Sequence, residues 1–377
     1  MFEIPHGPSW PIVERHFDEL ELMFELRGDV LLAPDYDLDE LAAGPERRLR
    51  QHLFGLIVAG PEALEHVVEP ALEDVVLGEA LGAAVSLATL TIGTPQECIR
   101  VTELLEPYEF STGERDPEEL EAFRRGVIQG MALIERAGVD EWLAAQVSRE
   151  VGHKSGPKLA GLVTAMAQRR SVPGEILGML RCDDPRVLQA AALSARCLRD
   201  TDSAAALLSL AHHEDPDLRA TVIETALVRQ LPWAWQAALH WAFQASDCGF
   251  RARALTWVAL LGNSDVHAHL RERLASRDEP DVASWLWAAG YTGRAEILET
   301  ALNWIDDPEL APLAAEVCCT IGGAQIDDDS LWQESMSKDH DGLPPLALDD
   351  LDADLSQRSE DLLPRPHPEH FLAWWSR

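Results

Sequence analysis

The chain has 377 residues, of which 65 are acidic and 31 basic, so its formal net charge is −34. Hydrophobic residues make up 46% of it, too many for a disordered chain. Because contacts with phosphates supply most sequence-independent affinity for nucleic acids, we expect no binding to nucleic acids or to anionic membrane surfaces. A basic partner is favoured instead.

The amino-terminal residues 1–8 have neither the basic start nor the apolar core of a signal peptide, which predicts a cytoplasmic protein. The longest weakly polar stretch, 82–93, is shorter than the roughly 20 residues of a membrane-spanning helix. The 6 cysteines are scattered and include no C-x-x-C motif. They are therefore expected to be reduced and mostly buried.

Helical periodicity dominates residues 1–150. Apolar residues recur at spacings of three and four over 13–26, before Gly28, and over 38–59, before Gly60. Further helices are predicted over 61–76, 79–92, 95–105 and 117–137. No stretch alternates with period two for long enough to form a strand, so the sequence predicts an all-α protein.

From about residue 180 a short acidic phrase with a proline recurs. It reads DDPRV at 183–187, EDPDL at 214–218, DEPDV at 278–282 and DDPEL at 306–310. The interval between the second and third copies is about twice as long as the others, and SDCGFR at 246–251 stands in it where a further copy is expected. An acidic residue caps a helix, and proline at the first helical position loses no hydrogen bond. Each phrase precedes an alanine-rich helix, a turn and a second helix. We therefore expect stacked helical hairpins, an alpha-solenoid that winds as a right-handed superhelix.

The repeat phrase and the alanine-rich helix after it resemble HEAT repeats. The segments 33–38 (APDYDL), 49–60 (LRQHLFGLIVAG), 285–290 (WLWAAG) and 366–375 (PHPEHFLAWW) resemble an uncharacterised bacterial HEAT-repeat protein family over nearly the whole chain. Members of that family are encoded near type VI secretion components. The resemblance implies a cytoplasmic accessory, an effector chaperone or an immunity protein, and it supplies no catalytic residues.

These patterns divide the chain into four segments. Residues 1–60 form an N-terminal helical region, 61–150 irregular helical hairpins and 151–325 HEAT-like repeats. Residues 326–377 form an acidic segment with a proline-rich stretch and a short aromatic C-terminal helix. The acidic part, 326–361, is expected to be poorly packed.

The search for metal and cofactor sites finds only weak matches. The acidic runs 35–46 and 350–361 have the carboxylate spacing of an EF-hand loop but lack glycine at its sixth position. Residues 152–158 resemble a phosphate-binding loop only in composition. We expect helix capping and solvated charge at these places, with no metal, no cofactor and no catalytic residue.

The chain has 12 tryptophans against 3 tyrosines. Most tryptophans of the repeats are expected in the core, and the alternative is a tryptophan exposed on the concave face as a partner anchor. A short helix opened by Pro368 is too short to be stable alone, so either the chain itself or a partner that reads it as a docking peptide must bury its aromatic residues. The candidate partner-binding residues are Trp233, Trp241, Trp257, Trp285, Trp287, Phe371, Trp374 and Trp375.

The sequence thus predicts a non-catalytic protein-protein interaction scaffold for a basic protein partner, such as a secreted toxin or its carrier. One alternative is a HEAT-like enzyme, either a bilin lyase or an alkylpurine DNA glycosylase. The glycosylase would need a local basic patch, for which the candidates are Arg251, Arg253, Arg271 and Arg273. Another alternative is an acidic nucleic-acid mimic. The oligomeric state stays open.

Overall fold

A computed structural model describes residues 7–32, 37–72, 77–106, 116–151, 156–244, 248–276, 281–326, 328–333 and 363–376. These residues are predominantly helical, and they include no β-strand beyond one isolated bridge between Trp332 and Pro366. The expectation of an all-α protein is confirmed. Within the same ranges, no helix combines the length and the apolar character needed to cross a membrane.

The chain forms two compact units, Met1–Leu231 and Pro232–Arg377. Their boundary lies inside the segment 151–325, which the sequence patterns predict to be a single array of HEAT-like repeats. The first unit contains α1 (Trp10–Leu32), α2 (Leu38–Leu41), α3 (Arg47–Ala59), α4 (Glu69–Ala71), α5 (Glu79–Ile92), α6 (Pro95–Glu103), α7 (Pro117–Leu133), α8 (Val139–Val151), α9 (Pro157–Gln168), α10 (Ile176–Met179), α11 (Pro185–Ser194), α12 (Thr201–Leu210) and α13 (Pro216–Val228).

Within this unit, α5, α7, α9, α11 and α13 form a row in which each helix packs on the next. The helices α8 and α12 lie against α9 and α13 as a second layer, and α10 contacts α12. At the start of the row, α1 and α3 pack on each other and on α5. This sequential packing is consistent with a helical repeat fold.

The second unit has the same pattern. It contains α14 (Ala234–Phe243), α15 (Cys248–Leu261), α16 (Ser264–Leu274), α17 (Val282–Gly290), α18 (Ala295–Ala301), α19 (Ala311–Gly322) and α20 (Pro368–Trp375). The row here consists of α15, α17 and α19, while α14, α16 and α18 form the second layer.

The recurring acidic phrase begins two helices as the sequence predicts. Asp184 accepts the Arg186 N–H at 3.0 Å with Pro185 first in α11, and Asp215 does the same before Pro216 of α13. The last copy differs, because Asp307 accepts two N–H groups but α19 begins only at Ala311. In the third copy, residues 278–280 lie outside the described ranges and α17 begins at Val282.

Three predicted helices differ from the observed ones for identifiable reasons. Helix α1 passes through Gly28 and ends at Leu32, because Val30 still contributes a buried side chain to the core. The segments 38–59 and 61–76 each contain a π-helical turn, Ala42–Glu46 and Leu64–Val68. The first turn contains Pro45, and the second ends two residues before Pro70. Proline cannot donate the regular hydrogen bond of an α-helix.

Candidate protein-interaction surface

Two exposed aromatic residues belong to α17: Trp287 lies within the helix, and Tyr291 directly follows its last residue. Trp287 and Tyr291 are each 43% exposed, and their ring centroids lie 6.3 Å apart in an edge-on arrangement. They are four residues apart, so they lie on one face of the helix. Large aromatic side chains that stay exposed as a pair are typical of binding anchors.

The rest of α17 explains why this pair is exposed. Trp285, Leu286, Ala288 and Ala289 are buried, because α17 packs between α15 on one side and α19 on the other. Helix α19 lies beside this end of α17, since a Cβ atom on Gly290 would be at an ordinary van der Waals distance, 3.7 Å, from Thr320. Only a narrow ridge of α17 is left uncovered, and Trp287 and Tyr291 occupy it.

Helix α19 carries polar groups next to the carboxyl end of α17. Thr320, which adjoins Gly290, is exposed and donates a hydrogen bond from its Oγ1 to the Glu316 carbonyl oxygen at 2.8 Å. Glu316 lies one turn earlier on the same face of α19 and is half-buried. We call these four residues, Trp287, Tyr291, Glu316 and Thr320, the Trp287 ridge. It presents two aromatic rings with a carboxylate on the neighbouring helix.

Two other candidate tryptophans of the repeats belong to the core. Trp285 is 1% exposed, stacks on Phe243 at 6.0 Å, and has the Arg273 guanidinium 5.7 Å from its ring centre. Trp257 is 9% exposed and packs against Phe250. Neither side chain has free surface for a partner, because the neighbouring helices cover it.

The remaining repeat candidates have an intermediate position. Trp233, just before α14, and Trp241, within it, are both half-buried. Trp241 packs edge-on against Phe250 at 4.9 Å. Trp241 therefore joins the second layer to the row, and both tryptophans offer only part of their surface.

The aromatic C-terminal helix lies against its own chain. Phe371 is completely buried and meets Trp332 edge-on at 5.0 Å. The segment before it is fixed by main-chain hydrogen bonds, from the Gln333 N–H to the Arg365 carbonyl and from the His367 N–H to the Leu331 carbonyl, both 2.8 Å. The structure thus places the tail in cis.

The outer side of this helix keeps some accessible surface. Trp374 and Trp375 are half-buried, and Leu372 is 50% exposed. The Trp374 ring lies close to α19, since a Cβ atom on Gly322 would come within 2.6 Å of it.

The arginines proposed as a basic patch for DNA are partly used in packing. Arg251 is buried, and the Arg253 and Arg273 guanidinium groups lie over the rings of Trp257 and Trp285 at 5.9 and 5.7 Å. Arg271 is exposed. Cation–π packing inside the unit therefore occupies two of the four.

The two cysteines of α19 have raised pKa values. Burial raises the pKa of both Cys318 and Cys319 to about 12, so these thiols stay protonated at neutral pH. Burial likewise raises the pKa of Cys98 and of Cys182.

Metal-binding geometry is not found among the described residues, where no three His, Cys, Asp or Glu side chains come together to hold an ion. In the first acidic run, Asp37 and Glu40 form a reciprocal capping box at the start of α2. Asp35 and the whole run 350–361 lie outside the described residues. So do residues 152–155 of the phosphate-loop-like segment, while Lys158 in α9 pairs with Glu150 at 2.9 Å.

No protein-family model and no curated protein matches this chain. The assignment of a site therefore depends on geometry. Sequence reasoning missed Tyr291 and Glu316. The spacing of Trp287 and Tyr291, four residues apart, is a signal for the first, but nothing in the sequence indicates that Glu316 lies on the adjacent helix.

Proposed function

We propose that the chain is a non-catalytic scaffold of HEAT-like helical repeats that binds a basic segment of a protein partner at the Trp287 ridge. The observation that carries this proposal is the exposed Trp287 and Tyr291 pair on a helix whose other faces are covered. The proposed site is restricted to these residues and their polar neighbours on α19.

The chemistry of the ridge fits a lysine or arginine side chain. A cation over an aromatic face gains about 0.5–1 kcal/mol when exposed and about 2 kcal/mol when desolvated. The apolar stem of the same side chain packs on Tyr291, and Glu316 supplies the opposite charge. The net charge of −34 raises the association rate of a basic partner over long range.

The finer parts of the proposal have separate supports. The row of sequentially packed helices supports an alpha-solenoid, with HEAT-like hairpins and a right-handed superhelix as its specific form. The resemblance of the four quoted segments supports a cytoplasmic type VI secretion accessory, effector chaperone or immunity protein.

A photo-crosslinking amino acid in place of Tyr291 tests the site in the native host. We expect the crosslinked protein, identified by mass spectrometry, to carry a basic segment at the point of attachment. The purified partner should then bind the wild-type chain more weakly as salt increases, because screening reduces charge attraction.

A Trp287→Ala variant should lose at least about tenfold in affinity, the effect of a binding hot spot. The matched control is Leu208→Ala on α12 of the first unit, a leucine of similar exposure, 48% against 43% for Trp287. An acidic crosslinked segment, or equal binding by both variants, would contradict the proposal.

A further inference from the structure

The first unit exposes an apolar face on α3. Phe54 is 63% exposed, Ile57 45% and Val58 72%, and their spacing of three and four places them on one side of the helix. The opposite side, with Leu49 and Leu56, is buried in the core. An exposed cluster of this kind on a packed helix indicates a contact surface.

Helix α1 runs antiparallel beside α3. His16 lies against His52 and Gly55, Glu19 pairs with Arg48 at 3.8 Å, and Arg27 pairs with Glu46 at 3.2 Å. Residues later in α1 thus contact residues earlier in the α3 segment, as expected for antiparallel helices.

The outer side of α1 also carries apolar residues, with Leu22 50% exposed and Leu26 37% exposed. The two adjacent helices at the start of the row therefore both expose apolar side chains. In repeat arrays the terminal units need a polar outer face to stay unpaired, and this end exposes several large apolar side chains among its charged ones.

The two helices have opposite charge. Helix α1 contains six acidic and two basic residues, whereas α3 contains three arginines and no acidic residue. Exposed acidic residues on α1 include Asp18, Glu25 and Asp29, and Arg47 is exposed on α3. A face with one acidic and one basic half is self-complementary when a two-fold axis lies between two copies.

We infer that the outer face of α1 and α3 binds a second copy of this chain, with α1 of each copy against α3 of the other. Phe54 and Val58 form the apolar centre of the contact with Leu22 and Leu26, and the acidic and basic halves fix its orientation. This homodimer is independent of the Trp287 ridge, which belongs to the other unit.

Sedimentation velocity of the full-length protein over a hundredfold range of concentration tests the inference. The wild type should approach twice the chain mass of 41.6 kDa as concentration increases. A Val58→Asp or Phe54→Asp variant should dimerise at least about tenfold more weakly, because a carboxylate would be desolvated in the apolar centre.

The control is Leu260→Asp, at a leucine of the second unit that is 56% exposed, and this variant should dimerise like the wild type. Circular dichroism checks that each variant is folded, as expected for exposed positions. A wild type that is monomeric at every concentration, or equal dimerisation by all variants, would overturn the inference.

The orientation is tested with a photo-crosslinker at position 54 in a mixture of light and heavy isotope-labelled copies. We expect inter-copy crosslinks to peptides from 10–32. Crosslinks confined to one copy, for example to residues 1–6 of the same chain, would show that another segment covers the face and would overturn the homodimer.

Discussion

Gly126 on α7 lies directly against the Glu79 carbonyl oxygen at the start of α5, so closely that a Cβ atom at Gly126 would overlap it. Gly82 on α5 faces the Phe123 carbonyl, and Gly130 faces that of Ala83, in the same way. These glycines let two helix backbones pack without intervening side chains. The pair α5 and α7 is therefore the most closely associated part of the first unit.

Replacing Gly126 with alanine should destabilise the protein by about 3 kcal/mol or more, because the two backbones must separate along their whole contact. Urea unfolding followed by circular dichroism measures the effect. The matched control is Gly28→Ala, which lies in α1 with nothing within 4 Å of the added Cβ. It should stabilise the protein by about 0.5–1 kcal/mol, since alanine favours helix more than glycine. Similar effects of the two changes would refute the close packing.

His52 makes the contact between α1 and α3 sensitive to acid. The His16 and His52 Nδ1 atoms lie 3.2 Å apart, within hydrogen-bond distance of each other. Burial, and to a lesser extent His16 and Arg48, lower the pKa of His52, against the opposing effect of Glu19.

The free energy of unfolding should therefore fall as the pH decreases through about 6.5, where the unfolded chain takes up a proton that folded His52 does not accept. The decrease stops below the folded pKa. A His52→Gln variant should lose this part of the pH dependence, as measured by urea unfolding at several values between pH 8 and pH 5. Parallel curves for the two proteins would contradict the role of His52.

Two helices of the row end at a left-handed residue other than glycine. Gln230 has a φ of 57° and its N–H bonds to the Leu227 carbonyl at 2.9 Å, and Arg170 has a φ of 58° after α9. Both side chains are exposed.

Gln230→Gly should stabilise the protein by about 0.5–1 kcal/mol, because glycine adopts this conformation without a steric penalty. The same change at Gln236, an exposed residue inside α14, should instead cost about 1 kcal/mol. Thermal unfolding of the two variants gives the comparison. A loss of stability from Gln230→Gly would show that its side chain has an unrecognised contact.

Phe371 and Leu372 are neighbours in α20 with opposite environments, completely buried and 50% exposed. Phe371→Ala should cost about 3 kcal/mol of the free energy that holds the tail in place, whereas Leu372→Ala should be almost neutral. Hydrogen exchange in residues 328–333 and 363–376 reports the difference. If the tail instead served only as a docking peptide for a partner, Phe371→Ala would leave exchange in the isolated protein unchanged.

The sequence by itself was sufficient for the class of structure. Apolar spacing of three and four specifies helices, because only the helix places such residues on one side. The Asp184 and Asp215 phrases predict where α11 and α13 begin, because a capping carboxylate and a proline act locally. Local chemistry did not predict the late start of α19, nor the passage of α1 through Gly28, where the buried side chain of Val30 packs in the core beyond the glycine.

Only the tertiary structure separates the candidate aromatic residues. Trp285 and Trp287 are two positions apart in nearly identical sequence surroundings, yet one is in the core and the other is 43% exposed. Exposure depends on which distant helices cover each face, here α15 and α19. For the same reason the sequence does not show that Thr320 of α19 lies next to Gly290 of α17, because a neighbour on another helix leaves no trace in local periodicity.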